Sequence, residues 1–165
     1  MPHARATALL ILLVTATAVS GAPSRTPAQK LGTKRVSALT GQCTHLAFAG
    51  RLIEAPCNEQ AFGTIYPNGR VAFAFSVDGK FTLQFAGDGA RKQAVGSLGS
   101  MQPIDAVTFG LLDTGPGGRP QRLKATGKCV YGDAFSGEPI RIVCEGATAR
   151  GKFEVTFETD GDSPG

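Results

Sequence analysis

The sequence predicts an all-β fold, a single antiparallel β-sandwich or small barrel stapled by two local disulfides. Three observations carry this. Aromatic and β-branched residues alternate with polar ones at period two, the pattern of half-buried strands. Glycine and proline, 22 and 10 of 165 residues, break most apolar runs, so no helical period is sustained. The four cysteines fall into two similarly spaced pairs, Cys43/Cys57 and Cys129/Cys144.

Residues 1–20 read as a signal peptide. Arg5 supplies a positive n-region, Ala8 to Val14 an apolar h-region, and Ala18-Val19-Ser20 small residues before a cut preceding Gly21. Thr15 and Thr17 interrupt the run and Pro23 follows it, whereas a spanning helix needs about 20 apolar residues. No second run of that length exists, so no membrane span is expected, and the mature chain is placed in the periplasm or outside the cell. Four cysteines behind an export signal then read as two bridges. A loop of about 15 residues makes each worth about 3 kcal/mol by the chain-entropy argument. A zinc site would want cysteines two to four residues apart within each pair, which neither pair offers.

Residues 21–41, with Arg25, Lys30, Lys34 and Arg35, read as a flexible basic linker. The β-domain is expected over 42–159, with 160–165 a loose tail. Within it, strands are expected at 42–48, 51–55 and 61–66. Two follow around Val71/Phe73/Phe75 and Phe81/Leu83/Phe85. The rest fall at 104–112, 121–131, 139–145 and around Phe153/Val155/Phe157. Asp78-Gly79 invites a two-residue turn, but that register would set every phenylalanine against a polar partner. A three-residue loop Val77-Asp78-Gly79 instead sets Phe75 opposite Phe81 and Phe73 opposite Leu83. Segments Gly69–Gly79 and Gly151–Gly161 share four of eleven residues, which leaves a duplicated unit and a reused strand-then-turn pattern both open.

Hydrophobic residues at 42% and charged residues at 18% exclude a disordered chain. The chemistry-bearing residues are few. His45 is the one histidine beyond the signal peptide, in step with Cys43 and Ala47, and reads as an ordinary strand residue. With every cysteine in a bridge, no thiolate remains. Gly96-Ser97-Leu98-Gly99-Ser100 lacks the spacing of a nucleophile turn, and Gly115-Pro116-Gly117-Gly118 lacks the lysine of a phosphate loop. Asp160-Gly161-Asp162 and Gly87-Asp88-Gly89 complete no calcium loop. No catalytic residue, metal or cofactor is assigned.

A basic strip is the one remaining feature. Over 121–131, Leu123, Ala125, Gly127, Cys129 and Tyr131 fall on one side of a strand, and Arg122, Lys124, Thr126 and Lys128 on the other, with Arg119 just before. Such a strip suits an anionic polymer or an acidic protein surface. Register through Cys129 and Cys144 would also set Lys128 against Glu145 as an ion pair. Tryptophan is absent and the phenylalanines sit at core parity, so nucleic acid is not the expected partner. The resulting expectation is an exported binding module rather than an enzyme, its candidate residues Arg119, Arg122, Lys124 and Lys128. The alternatives are a barrel carrying a small apolar ligand and a small hydrolase using carboxylates.

Overall fold

A computed structural model describes residues 33–54, 57–77, 81–96, 99–111, 119–133, 136–162 and 165. The expected signal peptide and residues 21–32 of the expected linker lie outside them. The strands are β1 (Arg35–Phe48), β2 (Arg51–Leu52), β3 (Cys57–Ile65), β4 (Arg70–Val77), β5 (Phe81–Asp88), β6 (Gln93–Ala94), β7 (Ser100–Leu111), β8 (Gln121–Tyr131), β9 (Arg141–Thr148) and β10 (Gly151–Thr159). A one-turn 3-10 helix, Gly89–Arg91, follows β5. Eight of these strands pair in the order β10-β9-β8-β7-β5-β4-β3-β1, and β1 returns to β10, closing an antiparallel barrel.

Closure runs through β1. Its first half, Arg35–Thr40, pairs with Gln60–Ile65 of β3, and its second half, Gly41–Ala47, pairs with Glu154–Thr159 of β10. Gly41, at φ +152°, sits where the strand changes partner, and a Cβ there would overlap the Glu158 carbonyl oxygen. β1 begins at Arg35, so residues 35–41 are strand where the sequence suggested linker. The tail also has an anchor, because Gly165 donates to and accepts from the Ala38 backbone at 3.1 Å each.

Eight strands leave an interior just wide enough for side chains to fill. Phe75, Phe85, Phe153, Phe157, Leu83 and Ile142 fill it, each under 2% exposed. At one end Phe48 meets Phe109 and Phe153 edge-on, with ring centroids 4.9 and 4.8 Å apart. At the other, Tyr131 lies 4.7 Å from Phe73. Both disulfides form as expected, Cys43–Cys57 between β1 and β3, and Cys129–Cys144 between directly opposed residues of β8 and β9.

The β4–β5 hairpin keeps the expected parity but not the expected register. Phe75 faces Leu83, Phe73 faces Phe85 and Val77 faces Phe81, so the three residues between the strands are 78–80. The expected register would have left Val77 in the turn, whereas this one buries it completely. The similar segments at Gly69 and Gly151 form β4 and β10, which lie three places apart around the ring one way and five the other. An odd separation makes them run in opposite directions. A duplicated half-barrel would put them four apart and parallel, which this arrangement does not.

Candidate functional site

On β8 the alternation holds. Ala125 and Cys129 are buried while Arg122, Lys124, Thr126 and Lys128 are exposed on the outer wall. The four sequence candidates do not form one free strip, however. Lys128 Nζ lies 3.6 Å from Glu145 Oε1, its cross-strand partner, and Lys152 Nζ reaches Glu145 at 3.1 Å and Glu154 at 2.7 Å. The hydrogen bond from Lys152 leads the causes that hold the Glu145 carboxyl below the usual glutamate range. This end of the strip is therefore neutralised. Arg119 and Lys124 have no ion-pair partner among the described residues.

Arg122 enters a cluster that no local pattern signals. Arg70 of β4 reaches across β5 to Asp105 of β7 in a two-pronged pair, Nη1 donating to Oδ2 at 2.9 Å and Nη2 to Oδ1. Arg122 Nη2 stands 4.0 Å from the same Oδ1. The Arg70 hydrogen bonds, followed by the charges of Arg70, Arg122 and Arg91, hold the Asp105 carboxyl below the ordinary aspartate range against its partial burial. Arg91 comes from the 3-10 helix, whose N-terminus Asp88 caps by accepting from Ala90 N at 3.1 Å.

Asp105 can meet both Arg70 and Arg122 because β7 bulges there, its pairing to β8 shifting between Ile104 and Ala106. Pro103 is compatible with such a break, since it cannot donate to a ladder. Beneath the bulge lies Gln102, fully buried, whose Nε2 donates to Asp88 O at 2.7 Å and Pro103 O at 3.1 Å. These bonds tie the end of β5 to the bulge. Gly87 leaves the room, since a Cβ there would overlap the Pro103 carbonyl oxygen and stand 3.2 Å from Gln102 Nε2. Gln102 Oε1 is buried with no hydrogen-bond donor among the described residues.

The other candidates remain dispersed. A bulge between Cys43 and His45 breaks their expected common step, so His45 is exposed, paired with Thr156, while Cys43 packs against the core. The Asp160 carboxylate accepts from Asp162 N, a turn contact. No group of three or more histidines, cysteines or acids among the described residues could hold a metal ion. Ser97 and Gly115-Pro116-Gly117-Gly118 lie outside the described residues. An open groove of about 780 Å³ at the closure seam is lined by Gln42, Glu59, Arg141, Glu158 and Asp160 among others, with Arg141 bonded to Glu158 at 2.6 Å. No helix among the described residues is long and apolar enough to cross a membrane.

Comparison of the chain with protein families, with curated proteins and with solved structures gives no match. The class defined here is thus a disulfide-bridged, closed eight-stranded antiparallel barrel with an arginine cluster on its outer wall. Two intramolecular bridges are consistent with an oxidising, exported location.

Proposed function

We propose that the protein is an exported, non-enzymatic binding module, acting in the periplasm or outside the cell, whose outer wall engages an anionic polymer or an acidic protein surface. The observation that carries this is the pair of exposed cations Arg122 and Lys124 on β8, with Arg122 standing beside the Arg70–Asp105 pair. Arg70, Arg122 and Lys124 are set there against Asp105 and Asp88, which leaves positive charge in excess. A surplus of one sign concentrates counter-charged partners and speeds their encounter. The side-chain-filled interior favours use of the wall over carriage of a ligand in the lumen.

The test is retention on immobilised dextran sulfate at low ionic strength, with Arg122→Glu/Lys124→Glu beside the parent chain. Tenfold or greater loss of binding in the double variant, with an unchanged circular dichroism spectrum, is expected. Undiminished binding would remove the basic wall from the explanation.

A further inference from the structure

The two disulfides stand in different surroundings. Cys129 and Cys144 are fully buried and directly opposed inside the β8–β9 ladder, with the pairs Lys128/Glu145 and Val130/Val143 on either side. That ladder holds its strands together without the sulfurs. Cys43 and Cys57 have no such support. The last β1–β3 pair is Thr40 with Gln60. Beyond it residues 41–47 of β1 pair with β10, while Cys57 pairs with Val77 of β4 and the register then shifts before Ala61. Among the described residues no backbone hydrogen bond joins 41–47 to 57–59, so the sulfur bond is the tie that crosses this fork. It is also reachable. Cys43 is half-buried and lines one open groove of about 460 Å³, and Cys57 lines another of about 430 Å³. On the inner side both cysteines pack against the core, beside their strand partners Phe157 and Val77, and Phe157 meets Phe75 with ring centroids 6.0 Å apart.

We propose that Cys43–Cys57 is a redox latch: a dithiol opens it while Cys129–Cys144 stays closed, and the fork between β1 and β3 then parts beside Phe157 and Val77. Exchange depends on access to the sulfur that is attacked, which the grooves provide at one bridge and full burial denies at the other. One thiol of the dithiol gives up its proton and attacks Cys43 Sγ, and the Sγ–Sγ bond breaks. Cys57 leaves as a thiolate and takes up that proton. The second thiol then attacks the mixed disulfide, passes its proton to Cys43 and releases it as a thiol. Two electrons have passed to the protein, and the dithiol has become a cyclic disulfide. The pairs of 35–40 with 60–65 stay in place, so opening is confined to the fork and the ring keeps its strand order. The latch is separate from the basic wall and does not depend on what that wall binds.

The experiment treats the folded, fully oxidised chain with dithiothreitol at neutral pH without denaturant. Free thiols are trapped with iodoacetamide at intervals, and peptide mass spectrometry reads each cysteine. Cys43 and Cys57 should be alkylated at least tenfold faster than Cys129 and Cys144. Amide hydrogen exchange is then measured on the chain reduced at Cys43–Cys57 alone. It should quicken at least tenfold over 41–47 and 57–59 and change less than threefold over β8 and β9, the signature of local rather than global opening. Replacing dithiothreitol by oxidised glutathione should restore the parent pattern. Equal or reversed reduction rates, or no reduction of either bridge, overturns the latch. So does reduction that leaves exchange across the fork unaltered, that removes protection throughout the barrel, or that reoxidation fails to reverse.

Discussion

Replacing Gly87 by alanine adds one methyl group where the barrel has no room for it. The new Cβ would overlap the Pro103 carbonyl oxygen and lie 3.0 Å from its carbon and 3.2 Å from Gln102 Nε2. Backbone must move, because the nearest obstacle is not the far end of a flexible side chain. Overpacking of this kind costs about 1–3 kcal/mol. The movement also breaks the two hydrogen bonds of the buried Gln102 amide, about 1 kcal/mol each. The sum is about 3–5 kcal/mol, or roughly 10–25 °C in Tm at about 3–5 °C per kcal/mol for a domain of this size. Gly63→Ala is the matched control, since the nearest atom to a Cβ there is Ser37 O at 4.0 Å. It should stay within about 0.5 kcal/mol of the parent, because strand glycine gains from a side chain that fits. Guanidinium titration of both variants, with disulfides intact, reads the difference. A Gly87→Ala midpoint within error of the Gly63→Ala one would refute the packing argument.

Two further outcomes are expected. Cys129→Ala/Cys144→Ala should cost about 3 kcal/mol or more, and Cys43→Ala/Cys57→Ala about 3 kcal/mol or less, since the first pair is fully buried and Cys43 is not; thermal melts check the order, and denatured, unreduced protein should show no reactive thiol. Stability should fall on acidification. The folded-state pKa of Asp105 lies below its unfolded one, so its contribution is complete above the ordinary aspartate range near pH 4 and drains away as pH falls through the lowered value. With Asp105 46% exposed, solvent screening limits this to about 0.5–1 kcal/mol, and Asp105→Asn should flatten the profile between pH 6 and 3 in urea titrations.

What could be read from the residues was parity. Phe73, Phe75, Leu83, Phe85, Phe153 and Phe157 point inward as their alternation requires, and Lys128 meets Glu145 once Cys129 is set against Cys144. Register was not fixed by parity, because a two-residue slip of the β4–β5 hairpin conserves every face and only the burial of Val77 chooses between the options. The first half of β1 stayed hidden since Leu39 is the only buried side chain between Arg35 and Thr40. Pro103 masked the start of β7, as proline ordinarily ends a central strand and is tolerated here beside a bulge. The arginine cluster was the least legible part. Arg70, Asp105 and Arg122 come from three strands, and only the strand order with a bulge brings them together.

Ring closure through β1 and β10 has a consequence for how the chain reaches this form. Every other neighbouring pair along the barrel joins segments close in sequence, but this seam joins residues 41–47 to 154–159. During folding, β1 must wait with one border bare until β10 is in place. Loop-closure entropy makes that last zipper slow, and bare strand borders invite pairing with other molecules. Until residues 154–159 are in place, the second half of β1 therefore lacks its partner strand, and the ring has two open borders rather than none.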